Sequence, residues 1–262
     1  MSVLERNNVH QLGNGSTTMM FAHGFGCDQN MWRLIVPAFA ENYKIILFDH
    51  VGAGLSDLNA YDPVKYNELD GYAHDILEIA EALQLKEIIF VGHSVSAMMG
   101  IMAAAQSPGL FKALILVSPS PSYINDGDYI GGFSRIEIDE LLASLDQNHL
   151  GWSMTMAPMI MANADRAELS EELTNSFCRT DPTIARQFAR ATFLTDSRSI
   201  LKTCHTPTLI LQCSEDIIAP VEVGAFIHQQ MDNSKLTILE ATGHCPHLSA
   251  PAETISAIKE FL

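Results

Sequence analysis

The segment Ile88-Ile89-Phe90-Val91-Gly92-His93-Ser94-Val95-Ser96-Ala97 constrains the fold of this chain more than any other. Its apolar start reads as a buried strand, its middle as a tight turn with serine at the apex, and Ser94 to Gln106 as the helix that leaves it. Strand and helix approach closely across such a turn, so small residues are needed two positions before and after the apex. Gly92 meets that need; Ser96 stands where glycine is usual, and is the smallest polar residue that still fits. The pattern is that of a nucleophile elbow, which belongs at the carboxyl end of a central strand.

The rest of the chain supplies a sheet around that strand. Apolar runs at Thr17 to Ala22, Tyr43 to Phe48, Glu87 to Val91, Lys112 to Val117, Thr208 to Cys213 and Leu236 to Leu239 end in Gly, Asp, His or Ser. Amphipathic stretches at Met31 to Ala40, Leu69 to Leu83, Ser94 to Gln106, Val221 to Gln230 and Ala252 to Leu262 alternate with them. This is the βαβ rhythm of a mostly parallel sheet covered on both faces, and Val3 to Leu12 is expected to add one or two antiparallel edge strands. Between Ser118 and Thr203 the alternation stops. Helical patterns at Ser134 to Asn148, Gly151 to Asn163, Ser170 to Thr180 and Pro182 to Leu194 point to an inserted helical lid. The expected division is a core of residues 1–120 and 199–262 with a four-helix lid at 121–198. The second lid helix is rich in methionine, which suits either core filling or an apolar cavity wall.

A serine hydroxyl needs a histidine to take its proton and a carboxylate to orient that histidine. Past the lid, Thr208-Leu209-Ile210-Leu211-Gln212-Cys213-Ser214-Glu215-Asp216 is a strand ending in two acids, and Thr242-Gly243-His244-Cys245-Pro246-His247 follows the next strand. The order serine, acid, histidine selects Ser94, Asp216 and His244 as catalytic candidates. Glu215 lies less far into the loop, and His247 is the competitor for His244, expected to pack or hydrogen-bond within its own loop. Asp49 and Asp75 read as serving loop hydrogen bonds or helix solvation, and His93 as packing beside the sheet. Acyl transfer also needs donors for a developing oxyanion. The turn Phe21-Ala22-His23-Gly24-Phe25-Gly26 offers the N–H of Phe25, to pair with that of Val95. The glycines form neither a dinucleotide fingerprint nor a P-loop, so no cofactor and no metal is expected.

Composition narrows the partners. With 31 Asp plus Glu against 15 Lys plus Arg, the formal charge is −16, which argues against nucleic acid and anionic membranes. The longest stretch free of Asp, Glu, Lys and Arg, Ile88 to Phe111, is interrupted by Gly92, His93, Ser94, Ser96, Gln106, Ser107 and Pro108, and reads as buried core, not a membrane span. The first residues carry no secretory pattern, and five cysteines at 27, 178, 204, 213 and 245 include no C-x-x-C pair. Free thiols and a cytoplasmic setting are expected.

Taken together, His23-Gly24-Phe25-Gly26-Cys27-Asp28-Gln29, Gly92-His93-Ser94-Val95-Ser96-Ala97, Pro119 to Asp126, Gly131-Gly132-Phe133 and Gly243 to Ser249 resemble the α/β-hydrolase superfamily. More narrowly, they resemble the branch of RsbQ-like bacterial stress-signalling hydrolases and the plant strigolactone and karrikin receptor hydrolases, some of which also have serine at the position of Ser96. The resemblance implies an α/β-hydrolase fold, a Ser94–Asp216–His244 triad, and an apolar pocket under the lid that takes a small hydrophobic ester or lactone. By motif position Phe133 and Trp152 would line that pocket, with Met156, Phe193 and Ile217 as further candidates. It also implies a signalling role alongside a PAS-domain-containing serine/threonine phosphatase that activates a stress sigma factor, either through turnover or as a ligand-binding receptor with turnover secondary.

Overall fold

The computed structural model describes residues 1–262. Seven strands form one sheet: β1 (His10–Leu12), β2 (Thr17–Ala22), β3 (Tyr43–Leu47), β4 (Ile88–His93), β5 (Phe111–Val117), β6 (Thr208–Glu215) and β7 (Ser234–Thr242). Their order is β1-β3-β2-β4-β5-β6-β7; β1 runs antiparallel to β3 and every other pairing is parallel. This is the α/β-hydrolase fold. Strand β4, which leads into Ser94, lies at the centre, buried along its whole length.

Alternate residues of each strand feed two different cores, as the pleat requires. Met20, Ile46, Phe90, Leu114 and Ile210 pack with helices α2 (Leu69–Ala82), α3 (Val95–Gln106) and α8 (Val221–Gln230) on one face. Their neighbours Met19, Ile45, Ile89, Ile115 and Leu209 pack on the other face with Trp32, Phe39 and Ile258, the last from α10 (Pro251–Phe261). Burial on both faces explains why these strands read as continuous apolar runs.

Two local expectations change. Val3–Arg6 is a short helix, α1, closed by a capping box between Ser2 and Glu5, so only His10–Leu12 of the amino-terminal segment joins the sheet. Met31 to Ala40 is not an α-helix but two 3₁₀ turns, Gln29–Trp32 and Val36–Ala38. Pro37 offers no N–H, and an α-helix through it would lose a backbone bond.

Four helices separate β5 from β6: α4 (Arg135–Gln147), α5 (His149–Met161), α6 (Ala167–Arg179) and α7 (Pro182–Phe193). Three of the four starts are capped by side chains. Ser134 and Glu137 form a capping box on α4, the Asn148 side chain accepts from Gly151 N on α5, and Asp181 caps α7 ahead of Pro182. Their apolar faces meet Cys27, Met31, Cys245 and Leu248, from the segments after β2 and β7 at the carboxyl edge of the sheet, in a third core. The methionines of α5 divide: Met161 is fully buried, while Met154 and Met159 face outward. No helix is long and apolar enough to cross a membrane. A short helix, α9 (Pro246–Ser249), follows β7.

Candidate active site

Ser94 sits between β4 and α3 with φ +56° and ψ −124°, a conformation rarely adopted by residues with a Cβ. The turn is held in place by close packing: Ser94 N–H donates to Val117 O at 2.8 Å. A Cβ on Gly92 would come within 2.7 Å of Ser96 O, so only glycine fits where strand and helix cross. Burial leaves Ser94 only 5% exposed, its hydroxyl facing the carboxyl edge of the sheet.

The other two candidates come to the same edge from the ends of β6 and β7. His244 Nε2 lies 2.8 Å from Ser94 Oγ, and His244 Nδ1 lies 2.7 Å from Asp216 Oδ2. The second oxygen of Asp216 accepts the N–H groups of Ile218 at 2.8 Å and Ala219 at 3.2 Å, which locks the carboxylate with Oδ2 toward the imidazole. With a carboxylate at Nδ1, the neutral ring carries its proton there, leaving Nε2 as acceptor for the serine proton. His244 N–H donates to Ile160 O at 2.9 Å, so α5 fixes the backbone of the histidine. Gly243 makes that contact feasible: at φ +87°, a Cβ there would lie 2.1 Å from Met161 O.

The rival residues are accounted for. Glu215 is exposed and accepts from Thr242 Oγ1 at 3.1 Å. Buried His247 packs at a tilt between Trp32, at 4.8 Å, and His93, at 4.4 Å, and burial pushes its pKa down to about 3. Asp49 accepts from Gln29 N, Leu55 N and Asn8 Nδ2, a loop-organising role. Asp75 departs from the expectation of a solvated helix residue. It is fully buried in α2, with Arg6 at 2.9 Å, Lys65 at 2.6 Å and the Tyr66 hydroxyl at 2.9 Å.

Phe25 follows β2 in the His23-Gly24-Phe25 turn, and Val95 opens α3, so both expected oxyanion donors border the elbow. Over Ser94 lies a small cavity of about 30 Å³, lined chiefly by Phe25, Tyr123, Ile160, Phe177, Phe193 and Ile218, with Cys27 and Cys245 on its wall. A larger surface cleft of about 740 Å³, lined by Asp28, Arg33, Asp49 and Arg179 among others, does not include Ser94.

Of the residues expected to line the pocket, only Phe193 does. Trp152 stands one row behind, stacked on Phe177 at 5.6 Å and edge-on to Phe25 at 6.0 Å. Phe133 and Met156 are half-buried against the same core without reaching the cavity. Ile217 is replaced by its neighbour: folding of the 216–219 turn onto Asp216 Oδ1 turns Ile218 inward and leaves Ile217 51% exposed. Tyr123 was not singled out from the sequence; its hydroxyl lies 3.5 Å from Ser94 Oγ, and burial pushes its pKa upward.

The ligand atoms of His93, Cys245 and His247 lie within 4.8 Å of one another. His93, however, already engages His244 O through Nε2 at 2.8 Å, and its Nδ1 faces Gly24, where a Cβ would come within 2.5 Å. That leaves two donors, fewer than a protein metal site commonly supplies.

Residues 19–257 match the family model described as "Alpha/beta hydrolase family". A karrikin insensitive 2 receptor of Petunia hybrida is 36% identical over 257 residues, covering 98% of this chain and 95% of the relative. A strigolactone esterase of Arabidopsis thaliana is 35% identical, covering 100% of this chain and 98% of the relative. The solved structure of a hydrolase from Oleispira antarctica superposes with a TM-score of 0.97 at 40% identity, covering 99% of this chain and 95% of that one. The chain belongs to the alpha/beta hydrolase family.

Proposed function

We propose that this protein is a serine hydrolase that cleaves a small hydrophobic ester or lactone through an acyl-enzyme on Ser94. The observation that carries the proposal is the continuous contact Ser94 Oγ, His244 Nε2, His244 Nδ1, Asp216 Oδ2, at 2.8 Å and 2.7 Å. In the first half-reaction His244 takes the Ser94 proton as Oγ attacks the carbonyl carbon, and returns it to the leaving oxygen as the tetrahedral adduct collapses. The imidazolium formed in between is stabilised by Asp216. The N–H groups of Phe25 and Val95 are the oxyanion donors in this reading. Water then repeats the sequence on the acyl-enzyme and frees the acid, with no cofactor taking part.

The apolar wall favours a small, weakly polar acyl or lactone group. A cavity of about 30 Å³ has room for roughly one water. Substrate entry therefore requires α4–α7 to move, and residues 121–198 act as the lid over a core of 1–120 and 199–262. The experiment is hydrolysis of p-nitrophenyl acetate and of a butenolide ester by wild type and Ser94→Ala. Hydrolysis by wild type alone is expected; equal rates in both proteins would remove Ser94 from the reaction.

A second reading, a ligand-binding signalling receptor in which turnover is secondary, is favoured by the full-length similarity to proteins named as receptors. Ile136 on α4 and Leu150 and Met154 on α5 are exposed apolar side chains open to a protein partner. The partner proposed is a PAS-domain-containing serine/threonine phosphatase, placing the protein with RsbQ-like regulators of a stress sigma factor in the cytoplasm. Co-purification of such a phosphatase with wild type, lost in an Ile136→Glu/Met154→Glu variant, is the expected result.

A further inference from the structure

The two oxyanion donors lie on separate segments, the Gly24-Phe25 turn after β2 and the start of α3, and their spacing must be set by something between them. Beyond the β2–β4 ladder, which pairs Ala22 with Gly92, a bridge of buried side chains joins those segments. Ser96 Oγ–H donates to His23 O at 2.5 Å, and His50 Nε2 lies 2.7 Å from Ser96 Oγ and 3.1 Å from the same His23 O. The His50 N–H in turn donates to His23 Nε2 at 3.1 Å, and His23 Nδ1 meets Gly24 O at 2.9 Å.

Proton accounting leaves one arrangement. His23 Nε2 accepts, so His23 Nδ1 carries the hydrogen and donates to Gly24 O. Ser96 spends its single hydrogen on His23 O, so its oxygen accepts from His50 Nε2–H, and the unpartnered His50 Nδ1 is a bare lone pair. All three side chains are buried, and His50 is wedged against Phe48, Tyr72 and Phe188. Such a fully determined buried network holds one geometry.

We propose that Ser96 and His50 are positioning residues that clamp the Gly24-Phe25 turn to the nucleophile elbow, holding the N–H groups of Phe25 and Val95 at the spacing an oxyanion needs. The inference rests on the serine-hydrolase reading. It gives the hydroxyl at 96, where glycine would satisfy the packing of the elbow, a role in catalysis through the oxyanion turn. Neither residue touches the substrate.

The experiment uses the full chain with p-nitrophenyl acetate and, as an oxyanion probe, an aryl trifluoromethyl ketone, whose hemiketal carries the same charge. Labelling of wild type by a fluorophosphonate is scored first; its failure counts against the hydrolase reading itself. Ser96→Gly is expected to lower kcat about ten- to a hundredfold with KM unchanged, and to weaken the ketone by a similar factor, because displaced donors stabilise the transition state less. His50→Phe, which keeps the ring packing, should do the same, and His50→Gln, which restores a donor near the Nε2 position, should recover most of the loss. Wild-type kcat and ketone affinity in Ser96→Gly would overturn the proposal, as would a fall in kcat with ketone affinity intact.

Discussion

His93 Nε2 lies 2.8 Å from the carbonyl oxygen of His244, so the residue before Ser94 holds the backbone of the proposed base. The ring donates through Nε2–H, which fixes its tautomer and leaves the unpartnered Nδ1 bare. The same ring packs 5.1 Å from His244 and 4.4 Å from His247. His93→Leu should leave a buried carbonyl without a donor, at a cost of about 1 to 3 kcal/mol. His93→Gln should retain much of that stability. Chemical denaturation of the three proteins checks the ordering; equal stability of the Leu variant and wild type would contradict it.

Asp216→Asn should preserve the fold, since its carbonyl oxygen still accepts from Ile218 and Ala219. It should nevertheless lower kcat by roughly a thousand- to ten-thousandfold, because an amide NH₂ facing His244 Nδ1 favours the wrong tautomer. Glu215→Gln, at an exposed side chain outside the proton path, should change the rate less than about twofold. Steady-state hydrolysis of p-nitrophenyl acetate separates the two carboxylates.

Acid should destabilise the protein well before its carboxylates titrate. Burial depresses the pKa values of His23, His50, His93 and His247, the last from 6.5 to about 3. A base whose folded pKa is depressed binds its proton in the unfolded chain first. The stability held above pH 6.5 is therefore lost as pH falls toward the folded pKa. For His247 alone the loss between pH 7 and pH 5 is about 2 kcal/mol. Unfolding free energies across that range should fall steeply in wild type and less steeply in His247→Phe. A pH-independent stability would contradict the neutral buried state.

Leu173 lies on the cavity wall and is fully buried. Leu173→Ala should cost about 2 to 5 kcal/mol of stability while enlarging the space over Ser94. The ratio of kcat/KM for p-nitrophenyl hexanoate over acetate should rise by about tenfold relative to wild type, the effect of accommodating about one further methylene. An unchanged ratio would show that acyl chains leave by another side of the pocket.

The sheet, its strand order of chemistry and the meeting of Ser94, Asp216 and His244 could be read from the sequence because each of these residues ends or follows an apolar strand. Strand ends at one edge of a parallel sheet are neighbours whatever the loops do. The pocket was not legible in the same way. Ile217 and Ile218 are identical side chains in adjacent positions, and only the turn wound around Asp216 decides which faces inward. Trp152 lost its expected place to Phe177, which stacks between it and the cavity, a matter of how α5 and α6 pack. His50 and Tyr123 gave no local signal, since their partners lie 46 and 29 residues away. Pro37, by contrast, did carry a signal against the helix expected over Met31 to Ala40.

Whether Ser94 carries the acyl group is tested most directly by acid-quenching the protein during turnover of p-nitrophenyl acetate and measuring intact mass. Wild type should show the mass of one added acetyl group, localised by peptide fragmentation to Ser94, with larger amounts in His244→Gln if deacylation slows more than acylation. Ser94→Ala should show none. An acetyl group of equal yield on Ser94→Ala, or hydrolysis by wild type with the label on another residue, would contradict an acyl-enzyme at Ser94.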